Sequence, residues 1–203
     1  MKSLSEIDTT SKRASRAVGF SWGEAEEIGK SVRLLELFGL PGIKNLNHYY
    51  HLTINQKFDN LNLIKETTIS DKNSYCPITL GIKFLDQIRS LEKYKKIKFN
   101  KVAFPLLMLS FLSRSSELIG KKINVKFNDA EFLLNLNVNI ASNLLNNDCP
   151  INADNFEVNI IDNKDNFLDE DWRSLYKLSE QTFVEETDSL KQSAAGAGLT
   201  DND

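Results

Sequence analysis

Apolar residues recur at helical spacing through the first forty positions. Leu4, Ile7, Ser11, Ala14 and Val18 follow one helical face, and Trp22, Ala25, Ile28, Val32, Leu35 and Phe38 follow another. Each start carries capping-box spacing, Ser3 with Glu6 and Ser21 with Glu24, so side chain and backbone N–H can satisfy each other reciprocally. Gly19 stops the first helix, because glycine takes the left-handed conformation without steric cost; Gly39 and Pro41 stop the second. The pattern predicts a helical hairpin over residues 1–40. Gly29 lies inside the second helix, where glycine costs about 1 kcal/mol against alanine. That predicts close approach of another backbone, at Ala14 or Ala17 of the first helix.

The body, residues 41–186, mixes periods. Residues 43–75 are polar, asparagine-rich and weakly patterned, with strand pieces expected at Leu61, Leu63, Ile64 and Ile69. Pro77 opens a helix whose buried face is Ile78, Ile82, Leu85, Ile88 and Leu91. The apolar run from Val102 to Leu112 is read as a strand to Met108, followed by a short helix ending at Gly120. Ile123, Val125 and Phe127 then alternate with polar residues. Asn128-Asp129 supplies turn chemistry, and Phe132, Leu134, Leu136, Val138 and Ile140 continue as the second strand of a hairpin. Phe156, Val158 and Ile160 predict a further strand. A last helix starts near Asp169 and packs through Trp172, Leu175, Tyr176, Ser179 and Phe183. Residues 187–203 form a Gly/Ala/Asp tail. Helices and strands do not alternate strictly, so the fold class expected is α+β. It is read as one domain over residues 1–203, an N-terminal helical hairpin packed on a mostly antiparallel sheet with further helices.

Composition narrows the function. Hydrophobic residues make up 41% and charged residues 26%, enough for a core without a metal or disulfide staple. A net charge of −3 lacks the electrostatic term that dominates nucleic-acid affinity and disfavours anionic membranes, so neither partner is expected. The polar start and the shortness of the longest apolar run, Val102 to Leu112, make a cytoplasmic address the expectation. A helix-turn-helix reading of the hairpin, which would make the protein a DNA-binding regulator, is the least favoured of three functions because of charge. Its second helix would enter the major groove behind Glu24, Glu26 and Glu27.

No nucleotide-binding, hydrolase or zincin motif occurs. His48 and His51 would share a helix face, as a metal pair must, but no third ligand stands near them. Cys76 precedes Pro77 at a helix start, where a thiol is acidified, yet the sequence places no base beside it. The hairpin offers more. Arg16 and Arg33 carry the donor fork that binds a small-molecule anion, with Trp22 beside them, and Glu6 or Glu26 is a candidate general base. The tail adds anion-binding backbone at Gly196 and Gly198. It also adds hard oxygen donors at Asp201 and Asp203, suited to a divalent cation such as Mg or Ca, with Asp201 a further catalytic candidate.

The N-terminal SLSEIDTTSKRASRAVGFSWGEAEEIGKSVRLLE and the terminal AGAGLTDND together resemble an uncharacterised bacterial family known only as a domain of unknown function. The shared elements fall on Glu6, Lys12 to Arg16, Trp22-Gly23, Ala25 to Gly29 and Ala195 to Asp203. The segment before the tail, VEETDSLKQS, departs from the family's Pro- and Arg-containing pattern. The resemblance brings no activity, but it implies that the tail is more than a frayed end, since both ends carry the signature. Two functions are therefore expected. One is a small-molecule metabolic enzyme, or an enzyme subunit, with a polar site between the N-terminal helices and the tail. The other is a noncatalytic accessory protein whose tail inserts into a partner; an oligomer fits either.

Overall fold

Both capping boxes form in the computed structural model, which describes residues 2–53, 56–144 and 149–183. Ser3 starts α1 (Leu4–Ala17) and Ser21 starts α2 (Trp22–Leu37). Gly19 ends the first at φ 103°. At Gly29 a Cβ would sit 2.6 Å from an Asp8 carboxylate oxygen and 2.9 Å from the Asp8 carbonyl. The close approach expected there is real, but it falls on Asp8 and Lys12, earlier along α1 than Ala14 or Ala17.

The weakly patterned stretch 43–75 opens on a helix, and Leu61, Leu63, Ile64 and Ile69, expected as strand pieces, lie outside any strand. α3 (Gly42–Thr53) buries Leu46 and Tyr49, and β1 is only Thr67–Thr68. The alternation of asparagines with apolar residues in this stretch hid the helical period. Gly42 lets α3 start against α2, since a Cβ there would lie 2.9 Å from that of Leu35.

α4 (Pro77–Leu91) begins at its proline, and its most buried residues are Ile78, Leu80, Phe84, Ile88 and Leu91. β2 (Lys96–Ala103) then stops short of the boundary expected at Met108, because Pro105 opens α5 (Pro105–Ile119). Proline has no N–H to give a ladder and suits a first helical turn. Phe104 makes the corner at φ 42°, its N–H donating to the Ile151 carbonyl at 2.6 Å.

β3 (Lys122–Phe127) and β4 (Ala130–Asn135) form the expected hairpin, with Val125 opposite Phe132. The second strand does not run on to Ile140. Leu136 and Asn137 take φ of 50° and 59°, the Val138 N–H returns to the Asn135 carbonyl at 2.8 Å, and β5 (Asn139–Ser142) folds back. The alternation was right, but the Asn-rich turn inside it was read as strand. β6 (Asn152–Ile161) completes the sheet in the order β1-β2-β6-β3-β4-β5, parallel only at β1–β2.

One sheet face is apolar. Ile97, Phe99, Val125, Phe127, Phe132, Phe156 and Val158 are buried there, with the Phe127 ring stacked between Phe132 and Phe156 at 5.5 and 5.4 Å. The opposite face is polar: Glu157 receives Lys96 at 2.7 Å and Lys98 at 3.2 Å. α5 lies on the apolar face and packs on α4. α2 packs on both of these helices, and α1 and α3 flank α2. This is the α+β fold expected, with helices α1–α3 as the outermost layer.

The chain divides into two compact units, Met1–Asn163 and Lys164–Asp203. In the second, α6 (Asp169–Ser179) starts where expected, and Trp172 of its apolar stripe stacks on Phe167 with ring centres 5.9 Å apart. Trp172, Leu175 and Tyr176 are 57%, 64% and 50% exposed. No described helix is long and apolar enough to cross a membrane.

Candidate functional site

α1 and α2 cross at Gly29, and beside the crossing lies a groove of about 540 Å³ lined by Asp8, Lys12, Arg13, Trp22, Glu26 and Lys30 with Ser5 and Thr9. Most of its charges are matched. Lys12 meets Glu26 at 3.0 Å, Lys30 meets Glu27 at 2.9 Å, and Arg33 reaches Asp8 at 3.6 Å. Arg13 alone of the lining cations has no partner among the described residues. Trp22 is 62% exposed. The guanidinium carbon of Arg16 lies 4.8 Å from the centre of its ring, while an Arg16 N–H donates to the Phe20 carbonyl at the turn.

Three of the expected binding residues therefore meet at this groove, in different capacities. Trp22 lines it, Arg16 braces the indole, and Arg33 holds the Asp8 carboxylate. Glu26 lines it too. The Lys12 hydrogen bond and charge, with the charge of Lys30, hold its carboxyl below the usual range. Glu6 stands elsewhere, in the cleft between α1 and α3. The Ser3 N–H donates to its carboxylate at 2.8 Å while the Ser3 hydroxyl accepts from the Glu6 N–H, and this Ser3 contact lowers the Glu6 pKa. Both glutamates are thus held as poor proton acceptors, because lowering a carboxylate's pKa weakens it as a base. Gly196, Gly198, Asp201 and Asp203 lie outside the described residues, and so does any divalent cation they would hold. Among the described residues no cluster of three His, Cys, Asp or Glu side chains forms.

Arg13 was passed over in favour of Arg16 and Arg33. A signal for it exists in the sequence. Its helical neighbours at three and four positions are Thr9, Thr10, Arg16 and Ala17, none of them acidic, so no local ion pair can absorb its charge.

The other candidates lie away from this groove, with His48 and His51 exposed on α3. His48 sets its ring edge-on to Phe104 at 5.3 Å. Cys76 precedes α4 and is buried, with its Sγ 3.0 Å from the Tyr49 hydroxyl. Burial, then the proximity of Cys76, raises the pKa of Tyr49. Beneath the groove, Glu27 ties α2 to α5 through Arg114 at 2.6 Å. Burial works to raise the Glu27 pKa, but the hydrogen bonds from Lys30 and Arg114 outweigh it and the net direction is down.

Residues 2–75 match the family model described as "Protein of unknown function (DUF3726)". The likeness to a domain-of-unknown-function family thus holds over α1 to α3 and the segment after them. No curated protein matches the chain. Among solved structures, a malate dehydrogenase from Entamoeba histolytica is similar with a TM-score of 0.42 at 15% identity, over 65% of this chain and 42% of that one. The chain thus spans less than half the length of that protein.

Proposed function

We propose that the protein binds a small organic anion in the groove between α1 and α2, as the binding part of a small-molecule enzyme or of a subunit that completes one. The observation that carries this reading is the unmatched guanidinium of Arg13 in a groove whose other charges are paired, next to an exposed indole. A guanidinium offers a planar fork of donors to a carboxylate or phosphate. An indole offers an apolar face to a ring or chain attached to that anion. In this reading Arg16 positions Trp22, and the Lys12–Glu26 pair keeps a simple inorganic anion from being held by a cluster of bare cations.

The test is calorimetric titration of the full chain with benzoate, acetate and inorganic phosphate. Benzoate should bind saturably and more tightly than acetate, and Arg13→Ala should weaken it about tenfold, since a charge-assisted hydrogen bond contributes roughly 1.5–3 kcal/mol. Raising the salt should weaken it further. Benzoate binding that is indifferent to both Arg13→Ala and salt would refute the assignment.

A second reading draws on α6. An eleven-residue helix with no buried side chain and an apolar stripe of Trp172, Leu175 and Tyr176 suits an accessory protein that presents this helix to a partner. The acidic first turn of Asp169, Glu170 and Asp171 asks for a basic rim on that partner's groove. A Trp172→Ala, Leu175→Ala double variant should then lose co-purification with the partner while keeping anion binding.

A further inference from the structure

We infer that α6 docks into the cleft between α1 and α3 of a second copy of the chain. The inference rests on the reading of α6 as a helix presented to a partner, and it names that partner. The cleft exists because α1 and α3 both pack on α2 and leave a gap of about 400 Å³ between themselves. Its walls are apolar, with Ile7 and Ala14 from α1 and Ile43 and Leu46 from α3. Short turns reverse the chain between α1 and α2 and again between α2 and α3, so α1 and α3 run the same way. At their C-terminal ends the Ser15 and Tyr50 hydroxyls meet at 2.5 Å. At their N-terminal ends Lys2 and Lys44 line the cleft. Lys2 reaches Glu6 of its own helix at 3.8 Å, an exposed pair that contributes little. The basic end of the cleft thus coincides with two helix N-termini, a place that favours carboxylates.

α6 offers the complement. Leu168, Trp172, Leu175 and Tyr176 follow one stripe, at the spacing of a helix that lies in an apolar groove. Trp172 stacks on Phe167, yet Trp172, Leu175 and Tyr176 each stay at least half exposed. The acids Asp169, Glu170 and Asp171 stand at the start of that stripe. The lengths agree as well. Asp169 to Tyr176 spans about 10 Å at about 1.5 Å per residue, and so does Ile43 to Tyr50 along the cleft wall. α6 therefore enters with its acidic turn at Lys2 and Lys44 and its stripe laid toward Tyr50. The reverse sense would put three acids at the Ser15–Tyr50 end, where no cation lines the cleft.

Every copy carries both halves of the contact. Two copies that exchange α6 make it twice and close as a two-fold dimer. One short helix in a groove buries less than the roughly 1,200 Å² at which stable interfaces begin, so the dimer is weak and forms only in concentrated protein. In dilute protein α6 stays uncovered.

Sedimentation velocity on the full chain over a concentration series tests this. The protein should pass from monomer to dimer as its concentration rises toward about 0.5 mM. The Trp172→Ala, Leu175→Ala double variant should lose the dimer. So should Ile43→Glu, which sets an acid against the acidic turn from an exposed position on the cleft wall, while circular dichroism stays unchanged. If that variant does not fold, Asn47→Glu on the same wall replaces it. In a Trp22→Phe background Trp172 is the sole tryptophan, and its emission should move to shorter wavelength as the dimer forms. Ile43→Glu should remove that shift. A dimer that survives the α6 variant, or one that survives a folded wall variant, overturns the assignment. A monomer at every concentration overturns the second copy as occupant. The reading of α6 as a partner helix is judged separately, by whether the double variant loses co-purification.

Discussion

Arg13 and Arg16 stand three positions apart on α1 and meet different fates. Arg16 turns to the Phe20 carbonyl and the Trp22 ring, while Arg13 is left with nothing opposite it among the described residues. Removing Arg16 should therefore loosen the α1–α2 turn and mobilise Trp22, whereas removing Arg13 should leave stability unchanged and affect only anion binding. Glu27 gives a pH prediction. Its folded-state pKa lies below its ordinary value of 4.5. The stability it contributes is therefore present above pH 4.5 and is lost as the pH falls through the folded value. Glu27→Gln should lower the melting temperature at pH 7, and the gap to the parent protein should close below pH 4.5. Arg114→Ala should cost about 1–3 kcal/mol at neutral pH, because it takes one of two cationic partners from a partly buried carboxylate and leaves Lys30 alone to hold it. A gap that stays constant with pH would remove Glu27 from this role. At this scale the sequence was partly legible. The capping serines and glutamates were, because their partners are local; the choice among arginines was not, because it depends on which acids α2 brings across.

Three glycines in helices should respond with different signs. A Cβ at Gly81 would lie 2.3 Å from the Phe111 ring, so Gly81→Ala should overpack the α4–α5 contact and cost about 1–3 kcal/mol. Gly29→Ala should also destabilise, since the nearest atoms include the Asp8 carbonyl at 2.9 Å. At Gly23 nothing lies within 4 Å, and Gly23→Ala should stabilise α2 by up to about 1 kcal/mol through helix propensity alone. Chemical denaturation of the three variants checks the order, and a stabilised Gly81→Ala would contradict the packing described. Elements read well from the sequence where a period was uninterrupted, as in α2, α4 and β3. They misread where local chemistry overrode the period. Pro105 turned the second half of an apolar run into helix, and Leu136-Asn137 broke one alternating strand into two. α3 was lost because Asn45 and Asn47 diluted its stripe.

For the molecule as a whole, the buried side chains among the described residues all lie in the unit Met1–Asn163, and α6 has none. An eleven-residue helix is marginal without tertiary support. Amide hydrogens of residues 169–179 should thus exchange orders of magnitude faster than those of β6 or α5, which should open only with global unfolding. Protection of α6 equal to that of β6 would show that its stripe is covered. The sequence could mark that stripe as apolar; it could not say that Trp172, Leu175 and Tyr176 would each stay at least half exposed. The α+β class was legible because sheet and helix periods were both present. The placement of two clefts on either side of α1 was not, since it follows from how α1 and α3 pack on α2.

The central assignment is the anion groove, and the fluorescence of Trp22 reads it most directly. In a Trp172→Phe background Trp22 is the sole emitter. Benzoate should quench it saturably, and Arg13→Ala should shift the midpoint about tenfold to higher concentration. Linear, non-saturating quenching that is identical with and without Arg13 would contradict the assignment.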